Sequence, residues 1–425
     1  MEKLALLGGS PVRKKKYPPH VTTGAEEKKE VLKVLKTGVL SAYEGANTEY
    51  FLGGEQVQKL ERDVEKKFGV KHAVAVNSCA SGLAAAVGAA GVGPGDEVIV
   101  TPWTMTASAA AILVYNAIPV FSDITEDTFN LDPQALEKSI TDRTKAIMVV
   151  HIFGHPADMN EIMEIARKHD LVVIEDAAQS IGGLYKGKYT GTVGDIGVFS
   201  FNSNKIIQCG EGGVAITDDD ELALRLQLIR NHAEAVIATG MKVKSLVNML
   251  GWNYRMNEIE AAISRVQLRK LNGFLKARRK LVKYLDKKLQ SIEGITTPVV
   301  KEGCTHTYYR YALKIDVPVP TELFLRALNA EGMEFLPPYE PLYMQPLYQK
   351  KIVFGDKGCP FSCAYYNRDI KYVRGLCPTA ESLCKRVIST EVIRPPLGFK
   401  DMDEIDTTFK KVTDNLDKLK SSKVR

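Results

Sequence analysis

Residues 172–217 read VVIEDAAQSIGGLYKGKYTGTVGDIGVFSFNSNKIIQCGEGGVAIT. An apolar strand ends in Glu175-Asp176, a Gly-rich connection follows, and a second apolar run spans Ile196 to Phe201. Lys205 stands just ahead of Gly210-Glu211-Gly212-Gly213. In an open α/β sheet, ligands bind beyond the carboxyl ends of the strands. An acid at the end of one strand and a lysine just past the end of the next therefore face one crevice. That arrangement suits an aldehyde cofactor held on the lysine as a Schiff base.

The segments before it alternate in the way a doubly covered parallel sheet requires. Val57, Leu60, Val64 and Phe68 recur at helical spacing and stop at Gly69. Strand Ala73–Val76 then enters Asn77-Ser78-Cys79-Ala80-Ser81-Gly82 and a small-residue helix, Leu83 to Ala90. Such a turn gathers free N–H groups for a phosphate, or is an ordinary cap formed by Ser78 or Ser81. Strand Glu97–Val100 leaves through Thr101-Pro102-Trp103, where the indole either stacks on a flat ring or joins the core. Strand Pro119–Phe121, helix Pro133–Ile140, strand Ala146–Val150, helix Met159–His169 and strand Leu171–Ile174 continue the pattern. No G-x-G-x-x-G follows any of these strands, so a dinucleotide site is not expected. His151 and His155 read as structural histidines.

A helical run with Ile259, Ala262, Ile263 and Val266 precedes a basic amphipathic helix, about Leu268 to Ser291, read as the connector to a smaller unit. Three regions follow: an arm with a loop at 1–55, a large cofactor-binding domain at 56–267, and the connector with a small C-terminal α+β domain at 268–425.

The 425 residues are 45% hydrophobic and 25% charged, which is ordinary for a globular protein of two or three domains. The net charge of +6 is scattered, so Arg13–Lys16 and the Lys-rich tail read as solvated surface and no nucleic-acid partner is expected. The N-terminus lacks a signal-peptide core. Ala107–Val114 falls far short of the roughly 20 apolar residues of a membrane span, so a cytoplasmic location without membrane contact is expected. Seven cysteines, an odd number, read as reduced thiols. Cys359, Cys363, Cys377 and Cys384 cluster, but at C-x3-C and C-x6-C spacings unlike zinc sites, so no metal is expected.

The segments NSCASGL, GDEVIVTPWT, DTFNLDPQALEKSITDRTKAIMVVHIFGHPADM, EDAAQS, GDIGVFSFNSNKIIQCGEGGVAITDD and GWNYRMNEIEAA resemble the DegT/DnrJ/EryC1/StrS family. These are sugar and aminocyclitol aminotransferases of pyridoxal phosphate fold type I, with a mostly parallel seven-stranded sheet between helices and a smaller C-terminal domain. The resemblance implies pyridoxal 5′-phosphate on Lys205, which also shuttles protons. Asp176 would face the ring nitrogen and Gln179 the ring hydroxyl, with Trp103 on the ring. Ala80, Ser81 and Ser200 would hold the phosphate. Asn253 would reach the phosphate of a second copy's cofactor, which implies a homodimer with shared sites.

Tyr43, His306, Tyr339 and Tyr343 are the candidate substrate residues. Lysine at 205 points away from the family's dehydratase branch, which resembles this sequence but carries histidine there. The expected reaction moves an amino group from glutamate or glutamine to a keto-sugar, nucleotide-linked. The alternatives are a keto-cyclitol of the scyllo-inosose type, an aminoshikimate-like substrate, a deoxysugar dehydratase, or a regulatory relative without catalysis.

Overall fold

The computed structural model describes residues 2–422. Its centre is a seven-stranded sheet of β1 (His72–Val76), β2 (Glu97–Val100), β3 (Ile118–Phe121), β4 (Thr144–Val150), β5 (Val172–Asp176), β6 (Ile196–Ser200) and β7 (Gly213–Thr217). The order is β1-β7-β6-β5-β4-β2-β3. Pairing is parallel from β3 through β6, while β7 runs antiparallel to both β6 and β1. The strands are apolar nearly throughout because both faces are covered, and β2, β6 and β7 are buried at every residue.

Helix Cys79–Ala89 consists almost wholly of small residues, and this lets it lie close on the sheet. A Cβ at Gly82 would stand 2.8 Å from Cγ1 of Val198 in β6. Helix Glu55–Phe68 buries Val57, Leu60, Val64 and Phe68, then stops at Gly69, whose φ of +71° favours glycine.

The smaller sheet pairs Tyr311–Ile315 with Ile295–Thr296 on one side and Val387–Thr390 on the other. Helices Thr321–Ala330 and Phe399–Thr413 close its core, with Phe324, Phe335, Ile388 and Phe409 buried together.

The seams between units lie elsewhere than the composition suggests. Residues 258–289 form one helix, capped by the Asn257 side chain accepting from Glu260 N–H at 2.9 Å. The boundary expected at 267/268 falls inside it, where the sequence carries no breaker. Leu268, Leu271 and Leu275 pack in a core shared with β7, whereas Leu281, Leu285 and Leu289 pack in the smaller core. The arm is no separate unit either. Leu4 is buried in the smaller core, and Glu331 accepts from the N–H groups of Ala5 at 2.7 Å and Val12 at 3.1 Å. Conversely, Tyr343, Tyr348 and Tyr372 return to the large sheet and surround Phe121 at 5.7, 5.3 and 5.5 Å.

The reduced-thiol expectation needs one correction, because Cys359 and Cys363 are joined by a disulfide. A tight turn brings their Cα atoms to 5.2 Å, within bridging range. The other five cysteines are free, and the cluster does not act as one: the Cys384 thiol lies 3.0 Å from the Tyr339 carbonyl, while Cys377 is buried against Phe121. No helix among the described residues is long and apolar enough to cross a membrane.

Candidate active site

Glu175 and Asp176 end β5 on opposite sides of the strand, as the two-residue period of a strand requires. Glu175 is fully buried and structural. Its carboxylate accepts from the N–H groups of Gly191, Val193 and Gly194 at 2.7, 2.7 and 2.5 Å and from Nε2 of His151 at 2.7 Å. Burial alone would raise its pKa, but His151 and these N–H donors outweigh burial and hold it below the usual carboxylate range. Nδ1 of His151 accepts from Ala157 N–H at 3.0 Å, so its proton sits on Nε2. His151 is thus a structural histidine, as read from the sequence.

Asp176 belongs to the other side. One oxygen accepts from the Ser108 hydroxyl at 2.7 Å and the other from Ala178 N–H at 3.1 Å. Ser108, in the first turn of helix Ala107–Val114, was not singled out in the sequence; the only signal was a hydroxyl five residues beyond Trp103.

Lys205 sits in the turn after β6, its N–H bonded to Asn202 carbonyl at 2.9 Å. Its Nζ lies 4.3 Å from the centroid of the Tyr309 ring. Burial pushes its pKa down, opposed by the carboxylates of Asp176 and Glu391. An amine so placed is shifted towards the unprotonated form that attacks a carbonyl. Beyond Tyr309, Arg310 pairs with Glu391 at 2.7 Å and lies 5.3 Å over the Tyr339 ring. Tyr309, Arg310 and Glu391 carry no motif visible in the sequence.

The end expected to take the phosphate is built by β1, β6 and β7 together. Gly213 opens β7 level with Val76 of β1 and Ser200 of β6. A Cβ there would meet the Cys79 nitrogen and the Phe199 carbonyl, each at 2.8 Å. Glycine therefore lets the start of helix Cys79–Ala89 settle over the strand ends. Ser78 caps this helix, its Oγ accepting from Ser81 N–H at 3.0 Å, while the Ser81 hydroxyl donates to Asn77 at 2.7 Å. That settles the cap as Ser78 and leaves the N–H groups of Cys79 and Ala80 outside the intrahelical ladder. Ser200 is buried beside them and accepts from Asn202 N–H at 3.3 Å.

Gln179 is buried, and its side-chain oxygen accepts from Phe153 N–H at 2.8 Å, so its amide NH2 is the end it can offer to a ring hydroxyl. Trp103 is fully buried, edge-on to Phe129 at 5.5 Å and to Phe153 at 5.8 Å, and its indole N–H donates to the Tyr339 carbonyl. The Tyr339 ring lies parallel to Phe153 at 6.1 Å, so Trp103 and Tyr339 share one aromatic wall. Asn253 is exposed beside Asn77 and Trp252, its side-chain oxygen accepting from Arg255 Nε at 3.0 Å.

Three of the four substrate candidates are not brought to Lys205. Tyr43 is buried with its ring against Gly53 and 4.9 Å from Arg230, because the 43–54 loop folds onto the helix start. His306 lies flat on Tyr308 at 4.1 Å and edge-on to His155 at 5.6 Å. Tyr343 is fully buried in the aromatic cluster around Phe121 and donates to Glu381 at 2.5 Å. Only Tyr339 stands on the lysine's side, its ring 5.3 Å from Arg310, which also lies over the Tyr309 ring that faces Nζ.

The profile of the DegT/DnrJ/EryC1/StrS aminotransferase family matches residues 24–372. The chain belongs to that family. GDP-perosamine synthase of Caulobacter vibrioides is 40% identical over 300 residues, covering 69% of this chain and 79% of that one. L-glutamine:scyllo-inosose aminotransferase of Streptomyces griseus is 33% identical over 439 residues, covering 97% and 98%. The crystal structure of DesV from S. venezuelae superposes with a TM-score of 0.76 at 30% identity, over 91% of this chain and 94% of that chain.

As a DegT/DnrJ/EryC1/StrS protein the chain is an aminotransferase of the pyridoxal phosphate-dependent type I fold. Its residues fit the cofactor. A burial-shifted lysine, an acid anchored by a hydroxyl, and a capped helix start with two free N–H groups stand at the ends of three strands separated only by β7.

Proposed function

We propose that the chain is a homodimeric, cytoplasmic aminotransferase that moves an amino group from glutamate or glutamine to a keto-sugar carried on a nucleotide, in amino-sugar biosynthesis. The observation that carries this reading is the setting of Lys205, a half-buried lysine whose amine lies over Tyr309 at the end of the strand next to the one that carries Asp176. The kinship with GDP-perosamine synthase supports the sugar substrate. Five free thiols among seven cysteines support a reducing compartment. The exposed Asn253, beside a half-exposed Trp252, supports a second copy docking there.

When bound, pyridoxal phosphate supplies an electron sink and carries the amino group between the two substrates. Asp176 would hold its ring nitrogen, Gln179 its ring hydroxyl, and Ala80, Ser81 and Ser200 its phosphate, with Asn253 reaching the phosphate held by a second copy. Nζ of Lys205 takes the proton from the donor's amine-bearing carbon and later returns one to the acceptor's carbon. Trp103 would lie against the cofactor ring, in one aromatic wall with Phe153 and Tyr339.

A second reading, amination of a keto-cyclitol, is favoured by the 97% coverage shared with the S. griseus inosose aminotransferase. The deciding experiment loads the enzyme with amine from glutamate or glutamine, then offers nucleotide-linked keto-sugars and scyllo-inosose separately. Discharge by a nucleotide-linked keto-sugar supports the first reading, and discharge by inosose alone replaces it with the second. Lys205→Ala should abolish turnover with either; residual transamination above a thousandth of wild type would sink the lysine's assignment.

A further inference from the structure

A cavity of about 290 Å3 lies behind the turn that carries Lys205, walled by Pro18, Pro396 and Phe274 and lined by His20, Arg278 and Arg394. Its two arginines are unlike the other buried arginines of this chain. Arg230 pairs with Glu61 at 2.6 Å, Arg13 pairs with Asp401 at 2.9 Å, and Arg225 donates to the carbonyls of Gly88, Ala89 and Val247. Arg278, only 2% exposed, has a single bond, from Nη1 to the Tyr308 carbonyl at 3.0 Å. Among the described residues neither Arg278 nor Arg394 forms an ion pair. The carboxylate close by, Glu391, is already taken by Arg310.

Two further atoms at this cavity are orphaned. Nη1 of Arg394 and Nδ1 of His20 are buried with no hydrogen-bond partner. Two cations and an imidazole sharing a proline-walled hollow without an anion carry an uncompensated desolvation cost. Burial, and then repulsion from Arg394, pushes Arg278 down to about 9 and His20 down to about 4, as expected of groups that lack a counter-charge.

We propose that this cavity is an oxyanion site that holds a small dianion, of the phosphate, sulfate or dicarboxylate class, between Arg278, Arg394 and His20. Guanidinium forks match such oxygens in pairs, and the hollow is large enough for any of the three ions. It is separate from the phosphate cup at Ala80 and Ser81, and it is connected to the chemistry by one bond. Nε2 of His20 donates to the carbonyl of Lys205 at 3.0 Å. An anion between the two guanidinium groups favours the protonated imidazole, whose Nδ1–H then donates to it while Nε2–H keeps the Lys205 carbonyl. The ring is fixed from both edges and steadies the turn from which Lys205 projects. His20 is then a positioning residue, and the site a point at which a small metabolite adjusts the lysine.

The test uses the full-length enzyme saturated with pyridoxal phosphate, so that the cofactor's own phosphate cup is filled. Phosphate, sulfate and glutarate are titrated at constant ionic strength, with chloride as the control, and the thermal midpoint is read. A saturable rise with at least one of the three, absent with chloride, is expected, with half-saturation weakened at least tenfold in Arg394→Gln. The rank of the tetrahedral ions against glutarate names the natural ligand class. If Arg394→Gln fails to fold, wild-type enzyme crystallised and soaked with selenate decides, with an anomalous peak expected between the two guanidinium groups. No saturable rise with any of the three ions, an unchanged half-saturation in the variant, or an empty cavity after the soak overturns the proposal.

Discussion

Gly213→Ala places a methyl group in the seam between β7 and the start of helix Cys79–Ala89. Its Cβ would stand 2.8 Å from the Cys79 nitrogen and the Phe199 carbonyl oxygen and 3.0 Å from the Cys79 Cα, all backbone atoms. Ordinary contact needs a few tenths of an ångström more, and no side chain can swing aside to provide it. Gly213 is paired on both sides, with Val76 and Ser200, so the sheet resists displacement and the helix start must give. Overpacking of this kind costs about 1–3 kcal/mol. Because the displaced groups are the N–H donors of Cys79 and Ala80, most of that cost should appear in cofactor binding, weakening it roughly tenfold to a hundredfold at about 1.4 kcal/mol per decade. Titration of the apoenzyme with pyridoxal phosphate, followed by absorbance, measures the affinity, and thermal unfolding of the apoenzyme measures the rest. Gly273→Ala is the control: its Cβ meets nothing within 4 Å on the long helix, so it should gain up to about 1 kcal/mol and leave affinity unchanged. An apo Gly213→Ala destabilised by 1–3 kcal/mol yet binding cofactor within twofold of wild type would refute the spacing role given to Gly213.

Further outcomes follow from the acids. Glu175→Gln takes the anion from three N–H donors and His151, and should cost about 3 kcal/mol at pH 7. The folded pKa of Glu175 is depressed, so its contribution is present above the unfolded carboxylate value and lost as pH falls through the folded one; the gap between wild type and variant in urea midpoints should narrow below about pH 4.3. A gap that stays constant from pH 7 to pH 3 would count against it. Glu391→Gln removes a charge that favours protonated Lys205 and frees Arg310, so the lysine's pKa should fall further. The rate of cofactor uptake by the apoenzyme should then keep its plateau to lower pH, and a shift to higher pH contradicts the assignment. Ser108→Ala deletes the hydroxyl bond to Asp176, worth about 1.5–3 kcal/mol to a charged acceptor. Single-turnover amine transfer should slow by at least tenfold, and the apoenzyme's melting temperature should fall by roughly a few degrees.

The sheet was legible because its strands are buried on both faces, so their apolar runs stand out between turn residues; β2 was read to the residue at Glu97–Val100. Lys205 and Asp176 were legible for a related reason, since strand ends are where an α/β sheet exposes side chains. The long helix was split in two at 267/268, although one apolar stripe through Leu268, Leu271, Leu275, Val282, Leu285 and Leu289 runs along it and nothing in 258–289 interrupts it. What changes along the stripe is the core it enters, and that leaves no mark in the local pattern. Tyr43 and Tyr343 look like contact residues in glycine- and proline-rich loops, but both loops fold back and bury their rings. Ser108, Tyr309 and Glu391 reach the site across distant segments, and such contacts leave no local pattern in the chain.

The helix at 258–289 sets how the two cores can move. At 1.5 Å per residue its 32 residues make a rod of about 48 Å, rooted beside β7 at one end and in the smaller sheet at the other. A rod without a break has no hinge, so the smaller unit cannot swing freely at the old boundary. It can only roll or bend the shaft, and Arg278, between the two rooted ends, grips the Tyr308 carbonyl next to the ring that lies under Lys205. Torque on the smaller unit is therefore delivered to the lysine's own seat.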